Sequence, residues 1–114
     1  MAKLVHLEIT ADDVSATSRF YAHALGVEAT PSPFIPDYML LIGETGQLGA
    51  VMDRAYQQQP VIPWFEIENL DARLAAVMDA GGRPVGKINT IPGKGRLTYV
   101  ADSNGTIFGL MEPQ

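Results

Sequence analysis

The chain has no cysteine, one tryptophan and only eight lysines and arginines in 114 residues. Without cysteine there is no disulfide, no thiolate metal ligand and no thiol nucleophile. The few basic residues are scattered singly and the formal charge is −5. Phosphate neutralisation needs clustered Lys and Arg, so no nucleic-acid partner is expected. Long apolar runs are missing too. No window approaches the roughly 18 uninterrupted apolar residues of a membrane span, and the first residues lack the charged-then-apolar pattern of a secretory leader. The expectation is a cytoplasmic protein with no membrane partner. Neither a Gly-x-Ser-x-Gly elbow nor a dinucleotide fingerprint occurs, which leaves hydrolase and dehydrogenase readings without a basis.

What the chain does have is a globular composition: 46% hydrophobic and 18% charged, with eleven glycines and eight prolines. That is enough for one core in a single domain spanning residues 1–114. Residues 4–10 alternate, with Val5, Leu7 and Ile9 on one side and His6, Glu8 and Thr10 on the other, which predicts a two-faced strand. Asp12 or Asp13 supplies an N-cap for a helix over residues 14–25, and Gly26 offers a left-handed stop. Pro31, Pro33 and Pro36 make residues 30–37 a loop or edge segment. A hairpin follows, with strands over 38–42 and 48–52.

The order then begins again. A strand over 61–68, the N-cap Asn69, a helix ended by Gly81 and Gly82, and a hairpin of 97–101 with 106–111 repeat the first half. Module one covers about 1–56 and module two about 60–114. His6-Leu7-Glu8-Ile9 overlays Trp64-Phe65-Glu66-Ile67, and residues 46–52 overlay 105–111 without a gap. The fold class is therefore α+β: two β-α-β-β-β modules forming a curled mixed sheet, with helices on the outer face covering Val5, Leu7, Ile9, Phe65 and Ile67. The other face, with His6, Glu8, Trp64 and Glu66, is expected to line a ligand cup.

Three stretches, VHLEITADDVSATSRFYAHALGV (5–27), PWFEIENLDARLAAVMDAGG (63–82) and IPGKGRLTYVADSNGTIFGLME (91–112), resemble the successive signatures of the vicinal oxygen chelate superfamily. This group includes glyoxalases, bleomycin-resistance proteins and ring-cleaving dioxygenases. The resemblance implies paired modules and a homodimer. It also implies four metal-ligand positions on the first and last strands of each module. These fall on His6, near Ala50, on Gly109, and on Ile62 (by distance to the helix) or Trp64 (by the repeat). Only His6 carries a donor, and a catalytic metal normally needs about three protein ligands. No metal and no cofactor are expected.

The remaining chemistry is a choice between two classes. One is a metal-independent protein that binds an aromatic or amphipathic small molecule, for sequestration or resistance, through His6, Phe34, Met39, Met52, Tyr56, Trp64, Arg96 and Met111. The other is a lyase or isomerase that moves a proton through His6, Glu8 or Glu66, the two glutamates lying at overlaid strand positions. The segment Ile91-Pro92-Gly93-Lys94-Gly95-Arg96 lacks the spacing of a phosphate loop and is expected to be a flexible rim. His23 suits the end of its helix and is given no role.

Overall fold

The computed structural model describes all 114 residues. Its elements run β1 (Lys3–Ala11), α1 (Val14–Leu25), β2 (Glu28–Pro31), β3 (Tyr38–Gly43), β4 (Gly46–Asp53), β5 (Val61–Glu66), α2 (Leu70–Asp79), β6 (Arg83–Ile91), β7 (Gly95–Ala101) and β8 (Ile107–Pro113). This is the expected α+β class, with a β-α-β-β-β order in each half. The chain divides into two compact units, residues 6–61 and residues 62–114, and residues 1–5 group with the second. In the first unit the strand order is β2-β3-β4-β1, and in the second it is β5-β8-β7-β6. Each set is mixed: β1 runs parallel to β4 and β5 parallel to β8, while the other pairs are antiparallel.

Both helices start where the sequence predicts. The Asp13 carboxylate accepts from the Ala16 N–H at 2.9 Å and the Asn69 side-chain oxygen from the Ala72 N–H at 3.0 Å. Such a cap stabilises a helix by about 1 kcal/mol. Gly26 ends α1 at φ 68°, a conformation open to glycine at no steric cost. Beneath α1, Ile9, Val14, Tyr21, Val27 and Ala29 pack on buried Ala11, Leu41 and Val51. Under α2, Phe65, Leu74, Val77 and Phe108 pack on Ile67, Leu70, Val100 and Leu110. Leu7, assigned to the same face, stays 40% exposed.

Pro31 closes the edge strand β2, in keeping with the expected loop or edge segment; β2 pairs only with β3, so its missing N–H costs no ladder bond there. Three other sequence expectations change. β6 has no alternating apolar pattern, and its pairing with β7 shifts register between Val85 and Asn89, so its own pattern did not announce it. The segment expected to be a flexible rim is instead the β6–β7 hairpin: the Lys94 N–H donates to the Ile91 carbonyl at 2.9 Å, and Arg96 already lies in β7.

The third change concerns the repeat. Glu8 stands opposite Ala50 and Thr10 opposite Met52, while Trp64 stands opposite Gly109 and Glu66 opposite Met111. With the hairpins overlaid, Glu8 matches Trp64, Thr10 matches Glu66, and His6 matches Ile62. The first-strand overlay read from the sequence is therefore two residues out. A two-residue slip keeps every side chain on its own face, so strand similarity could not reveal it. The equal spacing of His6 to its cap Asp13 and of Ile62 to Asn69 does. Glu8 and Glu66 are not equivalent positions.

Candidate functional site

Period-two alternation places His6, Glu8 and Thr10 on the face of β1 turned away from α1. Pairing register adds Met52 and Tyr38 to that face. Glu8 is 3% exposed and Tyr38 8%, so their polar groups require partners. The Tyr38 hydroxyl donates to Glu8 Oε2 at 2.6 Å and lies 2.9 Å from His6 Nε2. Gln47 Nε2 lies 3.1 Å from His6 Nδ1. Because the single Tyr38 proton is committed to Glu8, its oxygen accepts from an Nε2–H of His6. Nδ1 then accepts from Gln47, so the bonds assign the tautomer. Burial pushes the His6 pKa down from 6.5 to about 4, which keeps the ring neutral at pH 7. The result is a directed chain, Gln47 to His6 to Tyr38 to Glu8, in which each side chain donates to the next. Such a chain holds side chains in register and offers a proton path ending on a carboxyl group.

The second unit handles the corresponding face differently. Ile62 is fully buried where its repeat partner is His6. The Trp64 indole lies across Gly109, and a Cβ built there would sit 2.0 Å from Trp64 Cδ2. Tyr99 tilts against the indole with ring centroids 4.9 Å apart. Trp64 itself is 6% exposed.

Several sequence candidates are redistributed. Met39 pairs opposite Val51 and so belongs to the face under α1, not to that of His6. Arg96 pairs opposite Glu112 and is held by it at 3.0 Å and by Asp71 at 3.2 Å, near the start of α2. Glu112 also accepts from the Leu70 N–H at 2.7 Å. Arg96 first, and then that N–H, hold the Glu112 carboxyl below the usual range. Glu66 pairs with Lys3 at 3.2 Å. Phe34 is exposed, and the Tyr56 hydroxyl donates to the Pro36 carbonyl at 2.9 Å. Met52 is fully buried on the face of His6, and Met111 shares the face of Trp64. Tyr38, Gln47 and Tyr99 were not singled out from the sequence. Continuing strand pairing across the predicted hairpins would have found Tyr38 and Tyr99, but Gln47 reaches His6 only through the irregular pairing near Ile42.

The residues do not fit a divalent ion at the positions the resemblance implies. Ala50 and Gly109 have no donor, Ile62 is aliphatic, and both ring nitrogens of His6 are engaged. No group of three or more His, Cys, Asp or Glu side chains is arranged to hold a metal. Two open clefts, of about 470 Å3 beside Thr10, Tyr21 and Arg54 and about 440 Å3 beside Phe65, Val77 and Phe108, include none of the sequence candidates.

The register of β1 with β4 and β5 with β8, in two β-α-β-β-β halves, can be set against known proteins. A methylmalonyl-CoA epimerase from Mycobacterium tuberculosis superimposes with a TM-score of 0.71 at 19% identity, covering 97% of this chain and 87% of that one. Streptomyces coelicolor methylmalonyl-CoA epimerase in complex with 2-nitronate-propionyl-CoA gives 0.71 at 18% identity, covering 97% and 94%. The chain has the vicinal oxygen chelate fold. No family model matches it. A provisionally named glyoxylase, CFP32, of Mycobacterium bovis and Mycobacterium tuberculosis is 24% identical over 117 residues, 96% of this chain and 44% of CFP32. The chain thus spans less than half the length of these relatives. On β1 the chain carries a histidine whose two ring nitrogens are both met by hydrogen-bond partners. No helix is long and apolar enough to cross a membrane.

Proposed function

We propose that the chain is a metal-independent small-molecule-binding protein that holds an aromatic or amphipathic ligand. The His6–Tyr38–Glu8 array of the first unit would supply the polar contacts. The observation that carries this is the state of His6: neutral, with both nitrogens engaged, in a chain whose other implied ligand positions have no donor. With Nε2–H donating to Tyr38 and Nδ1 accepting from Gln47, the imidazole has no free lone pair to offer an ion. The solved neighbour with 2-nitronate-propionyl-CoA supports a small-molecule role for this fold. A thermal-shift and tryptophan-fluorescence screen, run with and without EDTA, tests the reading. The expected result is a stabilising ligand whose effect EDTA does not change, and loss of binding on chelation would overturn it. A second copy is the proposed partner, and light scattering should give twice the chain mass. Cytoplasmic location is tested by fractionation.

A second reading rests on the same array. A hydrogen-bonded chain ending on a buried carboxyl group fits a lyase or isomerase that moves a proton, with Glu8 as acceptor and Tyr38 and His6 behind it. A binding protein should keep its ligand with altered affinity in His6→Ala and Glu8→Gln. An enzyme should lose turnover by about a hundredfold or more.

A further inference from the structure

The α2 side of the second unit carries the open cleft of about 440 Å3, which the reading above does not use. Its walls are Phe65, Phe108 and Leu110 on the sheet and Ala76 and Val77 on the helix, so carbon dominates the lining. Aligning the caps Asp13 and Asn69 sets Phe20 and Tyr21 of α1 against Ala76 and Val77 of α2. Tyr21 packs over its own core, whereas two small side chains stand at the matching places in α2. The sheet wall is aromatic: Phe65 and Phe108 meet edge to face with centroids 6.0 Å apart, an arrangement that presents both ring faces and ring edges.

Two charged side chains border the cleft, Arg73 and Asp102. Asp102 Oδ1 is turned into its own loop, accepting from the Asn104 N–H at 2.8 Å and the Thr106 N–H at 3.0 Å. Arg73 belongs to no ion pair. The rim therefore carries one guanidinium outside any ion pair beside an aromatic wall, with the Asp102 carboxylate held to its own loop. We propose that this cleft is a binding site for a small amphipathic monoanion, an aryl or branched-acyl carboxylate or sulfonate. Its apolar body lies against Phe65, Phe108 and Val77, and its anionic head meets Arg73.

The test uses the full chain and two dyes, the monoanion 1-anilinonaphthalene-8-sulfonate and its neutral analogue N-phenyl-1-naphthylamine. Each is titrated by fluorescence. Saturable binding of the sulfonate is expected. Arg73→Gln, at an exposed position, should weaken the sulfonate by about tenfold and change the neutral amine by less than about twofold. Ala76→Phe should abolish both. Absence of sulfonate binding overturns the site, and so does binding indifferent to both Arg73→Gln and Ala76→Phe. Loss in Ala76→Phe with no effect of Arg73→Gln overturns the monoanion assignment. If circular dichroism shows that Ala76→Phe does not fold, the contrast between the two dyes in Arg73→Gln decides.

Discussion

Replacing Gly109 by alanine adds one carbon where the structure has least room for it. The new Cβ would lie 2.0 Å from Trp64 Cδ2, 2.1 Å from Cε3 and 2.4 Å from Cε2. Carbon atoms settle at about 3.5–4.0 Å, so the indole must retreat by roughly 1.5 Å. It has little freedom to do so, being 6% exposed with Tyr99 packed against it. Overpacking of this kind costs about 1–3 kcal/mol. For a chain of 114 residues that corresponds to a fall in Tm of about 5–15 °C. Thermal unfolding followed through the single tryptophan measures this directly, because the perturbed residue is also the reporter, and native-state emission should shift as well. A second background makes the assay specific. In Trp64→Leu, whose stability is followed by circular dichroism, adding Gly109→Ala should cost less than about 1 kcal/mol, since the clash has gone. An unchanged Tm and emission, or an equal loss in the Trp64→Leu background, would refute the packing argument.

Tyr38→Phe removes the donor to Glu8 and the acceptor of His6 together, and should cost about 1–3 kcal/mol in urea unfolding; a change under about 0.5 kcal/mol would deny the array its structural role. The His6 pKa of about 4 lies below its unbound 6.5, so between these values only the unfolded chain takes up the proton. Stability is therefore fully present above pH 6.5 and should fall by about 3 kcal/mol on going to pH 4. Urea midpoints across that range should show the slope in the native sequence and not in His6→Gln. Glu112 has a lowered pKa, so its contribution is present above the ordinary carboxylate range and lost as pH falls through the folded value. In Glu112→Gln the acid limb of the unfolding curve should flatten, whereas an unaltered limb would show that the contact with Arg96 carries no stability.

The fold was legible because its signals are local. Caps such as Asp13 and Asn69, the stop at Gly26 and the alternation of β1 are all decided within a few residues. β6 was missed on its own pattern because an outer strand with mostly exposed side chains has no apolar rhythm to read. The candidate site was legible only in part. His6, Glu8 and Trp64 follow from alternation within one strand. Tyr38 and Tyr99 follow from pairing between strands, which is set by register, and Met39, one residue beyond Tyr38, lies on the opposite face. Arg96 looked like a rim residue beside glycines, but its neighbours Glu112 and Asp71 are distant in sequence and no local rule names them.

The indole lying on Gly109 also bears on how reversible this design is. A glutamate introduced at position 109 meets the ring before it can meet an ion, and removing the ring first leaves a large hole in a buried face. Either order of change passes through a less stable protein, so no single substitution installs a carboxylate there without loss of packing. The halves of the chain have closed off their matching positions by different means, a hydrogen-bonded carboxyl group beside Ala50 and an aromatic ring over Gly109. Each would need its own sequence of steps to undo. The two halves thus fill these positions independently, and a substitution made in one leaves the packing of the other untouched.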